Sequence, residues 1–251
     1  MDLGLRDRVY LVTGGARGLG RATGDVLVAE GARVVLSGRS EETLAAAVAE
    51  LGDRASYVVG DNADPATPAR LVAAARDRWG RLDGALVSVG GPPRGPVTGM
   101  TDEQWSTAFG SVFLGAVRVA REVAAELGEG GSIAFVLSTS VRAPLADMAI
   151  SNGLRPGLAM VAKQLADELG PRGVRVNGLL PGRINTERVA ELDNAAADPE
   201  AAREASELTI PLRRYGEPSE FGRAAAFLLS PAASFVSGAM LPVDGGLLRS
   251  L

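Results

Sequence analysis

Short runs of continuous apolar residues alternate along the chain with longer stretches in which apolar residues recur every three or four positions. The short runs, at 8–12, 33–37, 56–59, 85–89, 133–138, 174–180 and 240–243, are rich in Val, Ile and Leu and read as strands buried on both faces. The longer stretches, at 18–30, 41–51, 65–79, 102–127, 151–169 and 219–229, carry helical periodicity and abundant alanine. This alternation predicts an α/β fold, a Rossmann-like doubly wound parallel sheet of about seven strands with helices on both faces. No proline- or serine-rich linker interrupts residues 1–251, so a single domain is expected. The polar, alanine-rich stretch 183–211 is too long for an ordinary connection. It is expected to fold into helices over the carboxyl edge of the sheet as a substrate lid.

Composition narrows the chemistry. The chain has no cysteine and no histidine, which excludes a disulfide framework, a thiol nucleophile, a histidine base and a zinc site built from those ligands; no metal is expected. With 26 basic and 30 acidic residues the net charge is −4, the wrong sign for a phosphate-backbone binder, so no nucleic-acid partner is expected. Asp2, Arg6, Asp7 and Arg8 break any apolar signal core, and no uncharged apolar run approaches the ~18 residues that span a bilayer. The expectation is a cytoplasmic protein without a membrane partner. Among the basic residues only Lys163 is lysine, a bias to set against any apparent Lys-to-Arg exchange.

The first strand runs into Thr13-Gly14-Gly15-Ala16-Arg17-Gly18-Leu19-Gly20 and then a helix, the context a dinucleotide fingerprint requires. Gly14 permits the tight turn, Gly18 lets the backbone approach a pyrophosphate, and Gly20 allows close helix–strand packing, with the helix amino terminus facing the phosphates. The second strand ends in Ser37-Gly38-Arg39-Ser40 and lacks the acidic residue that holds a ribose 2′-hydroxyl. Arg39 is placed to grip a 2′-phosphate and Arg17 to supply a second charge, so NADP(H) is expected over NAD(H). The alternative is a pair of solvated surface arginines. Asp61, followed by Asn62, is placed either to receive the adenine amino group or to cap a turn, and both readings stay open.

From residue 8 to 246 the sequence resembles the short-chain dehydrogenase/reductase family. The family's Thr-Gly-x-x-x-Gly-x-Gly motif matches Thr13 to Gly20, its Asn-x-x-x-Pro-Gly-x-x-x-Thr segment matches Asn177, Pro181, Gly182 and Thr186, and its closing Pro-Val-Asp-Gly-Gly matches Pro242 to Gly246. The resemblance implies cofactor contacts at Gly14, Arg17, Gly18, Leu19, Gly20, Ser37, Arg39, Asp61, Asn62, Ser88, Gly90, Pro181, Gly182, Ile184 and Thr186. It also implies a homotetramer built through 102–127, 151–169 and the C-terminal segment, for which Phe109, Phe113, Leu114 and Val117 supply apolar surface beyond one sheet face.

The family's active site is an Asn, a Ser, a Tyr and a Lys. Aligning the helix through Lys163 to Gly170 puts Tyr-x-x-x-Lys on Ser151-Asn152-Gly153-Leu154-Arg155, so serine stands for tyrosine and arginine for lysine. The serine position falls on Ser138, 13 residues before Ser151, and the asparagine position, set by Trp105 and Gly115, falls on Val112. The Asn-Asn-Ala-Gly stretch reads Ser88-Val89-Gly90-Gly91. The chain thus resembles the ketoacyl-reductase-like members that lack the Tyr-x-x-x-Lys pair. A serine hydroxyl and an always-protonated guanidinium cannot reproduce a phenolate–ammonium pair, although on a helix Ser151 and Arg155 share one face and Arg155 can anchor ribose hydroxyls or a carboxylate. Pro156 favours a kink in that helix. The expected function is an NADP(H)-dependent oxidoreductase for a small carbonyl/alcohol substrate, with Ser138, Ser151 and Arg155 as catalytic candidates. The alternatives are a non-redox isomerase, dehydratase or cyclase on the same scaffold, and a nucleotide-binding or interaction protein without turnover.

Overall fold

The computed structural model describes residues 2–194 and 196–250. Seven strands form one parallel sheet: β1 Val9–Val12, β2 Arg33–Gly38, β3 Ala55–Val59, β4 Gly84–Val87, β5 Ser132–Val136, β6 Arg175–Pro181 and β7 Met240–Val243. Their spatial order is β3-β2-β1-β4-β5-β6-β7. The order reverses between β1 and β4, which places the switch-point crevice outside the carboxyl ends of those two strands.

The helices are α1 Gly18–Ala29, α2 Glu41–Leu51, α3 Thr67–Trp79, α4 Asp102–Ala108, α5 Gly115–Glu126, α6 Ala149–Leu169, α7 Glu187–Asn194, α8 Pro199–Thr209 and α9 Pro218–Leu229. Two apolar layers sandwich the sheet. Val9 and Leu11 of β1 point into the layer that α3, α5 and α6 complete, whereas Tyr10 and Val12 point into the layer completed by α1, α2 and α9. A strand buried on both faces cannot alternate with polar residues, which is why these runs are continuously apolar.

Local chemistry sets several boundaries. The Ser40 hydroxyl accepts from the Thr43 N–H at the start of α2, and Thr101 and Gln104 form a reciprocal capping box on α4. Gly80, left-handed at φ 71°, ends α3. The expected single helix over 102–127 is instead interrupted: between α4 and α5, Phe109–Leu114 forms a π-type turn whose backbone bonds skip one residue further than in an α-helix. Helix α6 runs unbroken through Pro156, whose ring removes the N–H that the Asn152 carbonyl would accept. The stretch 183–211 contains α7 and α8. Among the described residues no helix is long and apolar enough to cross a membrane, and no group of three or more acidic residues is placed to hold a metal ion.

Candidate functional site

The glycine turn sits at the switch point. Gly14 and Gly18 hold φ of 58° and 56°, the left-handed region, and a Cβ on Gly20 would run into the Gly14 carbonyl. Behind the turn the Thr13 hydroxyl donates to the Ser88 carbonyl at 2.6 Å and accepts from the Ser88 N–H at 2.8 Å, tying the ends of β1 and β4 together. Asn62 reaches the same carbonyl at 3.4 Å. Helix α1 has no side-chain cap and no acidic residue in its first turn. Its first N–H groups, including those at Leu19 and Gly20, therefore remain open donors at the positive end of the helix dipole. These features fit the pyrophosphate of a dinucleotide.

Of the arginines expected to select a 2′-phosphate, Arg39 is exposed and has no ion-pair partner among the described residues. Arg17 is already engaged, its guanidinium 2.8 Å from the Glu187 carboxylate at the start of α7. The next residue, Arg188, donates to the Pro92 carbonyl at 3.1 Å. The start of α7 is thereby tied to the glycine turn on one side and to the loop after β4, which includes Gly90, on the other. Ser37, at the end of β2, is buried with its hydroxyl unpartnered. Asp61 accepts from the Ala63 N–H at 2.9 Å, the turn-capping geometry. On the opposite wall Gly182 donates to Val243 at 3.0 Å, Ile184 bridges to Gly216, and the Thr186 hydroxyl accepts from Val189. Pro181 closes β6.

The catalytic candidates converge at the carboxyl end of β5. Ser138 is half-buried, and its oxygen accepts from the Ser140 N–H at 3.1 Å, which leaves its own O–H free to donate. The hydroxyl that meets Ser151 is that of Ser140, at 3.2 Å. Ser138, expected from its 13-residue spacing, makes no hydrogen bond to Ser151. The sequence signal for Ser140 was available, since Ser138 and Ser140 flank a single threonine, but only the turn after β5 decides which one faces α6. Arg155, one turn beyond Ser151, is 5% exposed and donates to the Val136 carbonyl at 2.6 Å. No carboxylate pairs with it among the described residues, and burial alone pulls its pKa down to about 10. It stays protonated at neutral pH. Val112, in the π-type turn, is buried with Ile150, Leu154 and Trp105, so apolar packing occupies the expected asparagine position.

Asn152, inside the Ser151–Arg155 segment, takes a structural role that its sequence position does not disclose. Its amide accepts from the Leu145 N–H at 3.0 Å and donates to the Leu145 carbonyl at 2.8 Å, clasping the loop before α6 to the helix that carries Ser151 and Arg155. Among the described residues no tyrosine hydroxyl is hydrogen-bonded to Ser138, Ser140 or Ser151. Tyr10 donates to the Leu229 carbonyl and Tyr57 to Glu41, away from this site. Tyr215 is buried, with Arg203 of α8 stacked over its ring, and burial raises its pKa.

Residues 14–248 match the family model described as enoyl-(acyl carrier protein) reductase. The A-factor type gamma-butyrolactone 1'-reductase (1S-forming) of Streptomyces virginiae is 38% identical over 251 residues, covering 96% of this chain and 96% of that protein. A short-chain dehydrogenase/reductase from Brucella melitensis superposes with a TM-score of 0.93 at 30% identity over the whole of both chains. The L-sorbose reductase of Gluconobacter frateurii, solved with NADPH and L-sorbose, gives a TM-score of 0.94 at 28% identity, again over the whole of both chains. Its sequence motifs, sheet order and these matches agree: the chain belongs to the short-chain dehydrogenase/reductase family of oxidoreductases.

Proposed function

We propose that the protein is an NADP(H)-dependent oxidoreductase for a carbonyl/alcohol pair that works without the family's tyrosine and lysine. The observation that carries this reading is the open amino terminus of α1 on its glycine turn, with Arg39, exposed and without an ion-pair partner among the described residues, at the end of the neighbouring strand. A guanidinium there suits a 2′-phosphate dianion better than a neutral ribose hydroxyl, which an acidic residue would hold. The NADPH bound in a neighbour of the same fold supports the choice. The bound cofactor supplies or takes up the hydride.

The chain's own residues hold the reacting oxygen. The Ser138 O–H is free to polarise it, Ser151 lies beside it as a second hydroxyl in contact with Ser140, and the fixed charge of Arg155 favours negative charge developing nearby. Arg155 is also placed to hold ribose hydroxyls of the cofactor. Neither serine nor arginine surrenders a proton readily at neutral pH, so water protonates the product oxygen. The segment 183–211 acts as the substrate lid, and the chain assembles as a homotetramer. A second reading, a nucleotide-binding protein without turnover, draws on the deep burial of Ser151 and Arg155.

Following NADPH oxidation at 340 nm across a panel of carbonyl compounds separates the two readings. We expect weak rates on simple ketones and measurable turnover of a better substrate, with Ser138→Ala lowering kcat by roughly a hundredfold, the scale of one lost oxyanion donor. Turnover unaffected by Ser138→Ala would remove Ser138 from the mechanism, and tight NADPH binding with no turnover of any carbonyl would favour the second reading.

A further inference from the structure

Three consecutive residues at the start of α7 reach loops on both sides of the crevice. Thr186 lies against the glycine turn, its methyl 3.8 Å from where a Cβ on Gly18 would stand. Glu187 meets the guanidinium of Arg17, in the same turn, at 2.8 Å. Arg188 goes the other way: it donates to the Pro92 carbonyl at 3.1 Å, and a Cβ on Gly91 would come within 3.2 Å of its Nε. The glycine turn follows β1, and the loop with Gly91 and Pro92 follows β4. These strands are neighbours in the sheet, and their carboxyl ends bound the switch-point crevice. Residues 186–188 therefore link one bank of the crevice to the other at the open amino terminus of α1.

The two attachments differ in hold. The Arg188 guanidinium is steadied by Glu191 of its own helix at 3.3 Å, and its acceptor is a backbone carbonyl that no rotamer change can withdraw. The Arg17 and Glu187 side chains are 64% and 65% exposed, and neither has a second ion-pair partner among the described residues. An ion pair so open to water contributes little and parts readily. Both of its members belong to the chain, so the pair needs no nucleotide in order to form.

We propose that Glu187 is a positioning residue that clasps the start of α7 to the glycine turn through Arg17, and that this clasp, parting while Arg188 holds the far bank, gates the passage of the nicotinamide dinucleotide into and out of the crevice. The proposal rests on the cofactor reading above, in which the pyrophosphate sits at the start of α1. It gives Arg17 to the clasp and leaves the 2′-phosphate to Arg39. A pair made within the chain closes the free and the occupied crevice alike. Loosening it raises the open fraction of both, so entry and exit speed up together with little change in affinity. A residue that touched the nucleotide would change exit alone.

The test is stopped-flow fluorescence with NADPH and with NADH, reading association and dissociation separately, on the unmutated protein, Glu187→Gln, Arg17→Gln and the double variant. Glu187→Gln is expected to raise both rate constants about two- to fivefold for each nucleotide, the range an exposed ion pair covers, with Kd changing less than about twofold. The double variant is expected to match Glu187→Gln, since one pair can be broken only once. Rate constants unchanged in Glu187→Gln would overturn the clasp. So would a rise in dissociation alone, which marks a contact to the nucleotide or a loosened fold, and so would effects of the two single variants that add. NADPH binding that tightens in Glu187→Gln while NADH binding does not would return Arg17 to the 2′-phosphate and equally overturn it. Binding of neither nucleotide by the unmutated protein would overturn the cofactor reading itself, and the clasp with it.

Discussion

A guanidinium buried without a carboxylate, as Arg155 is, costs desolvation that one backbone carbonyl does not offset. Under the proposed function, Arg155 is kept at that cost for the reaction rather than for the fold. Arg155→Met, of comparable length and apolar, is therefore expected to raise stability by about 1–2 kcal/mol while abolishing turnover. Thermal unfolding beside a 340 nm assay reads both. A lowered unfolding midpoint would show that the charge supports the fold. The proposed exchange of tyrosine and lysine for Ser151 and Arg155 is read from the sequence alone, from the register that the helix through Lys163 sets. The partnership of Ser140 with Ser151 is not, since counting along the chain points to Ser138 and the turn over Thr139–Val141 swings the later serine toward α6. Nor is the pairing of Arg17 with Glu187, which joins residues far apart in sequence across the groove.

Among the elements, the strands were the most readable, because burial on both faces leaves an unbroken apolar run that helices do not copy. The π-type turn at Phe109–Leu114 was hidden, since one extra residue per turn barely disturbs an apolar periodicity already crowded with Gly, Val, Phe and Leu. That turn bears on assembly. Phe109 is 45% exposed and stacks on Phe113 with ring centres 5.2 Å apart, and Met160 of α6 is 71% exposed. Phe113 in turn packs against Gly157 of α6, so the two helices present one apolar surface. Self-association through this surface is expected to give four times the chain mass by light scattering at micromolar concentration, and Phe109→Glu a smaller particle. A monomer mass for the unmutated protein would contradict the homotetramer.

At the scale of the whole molecule the sheet order puts the glycine turn, the ends of β4 and β5 and the start of α7 around one crevice. The order follows from the alternation of strands and helices together with the right-handed crossovers such units adopt, so the location of the site was readable before its details. The contacts of Glu187 with Arg17 and of Arg188 with the Pro92 carbonyl were not, because they join the segment 183–211 to loops from the other half of the chain. The proposed function stands on NADP(H) as the proposed occupant of this crevice. Its most direct test is a fluorescence titration of NADPH and NADH against the unmutated protein and Arg39→Ala. The account predicts NADPH binding tighter by roughly ten- to a hundredfold, the worth of a charge-assisted phosphate contact, with most of that preference gone in Arg39→Ala. Equal affinities for the two nucleotides in the unmutated protein would contradict it.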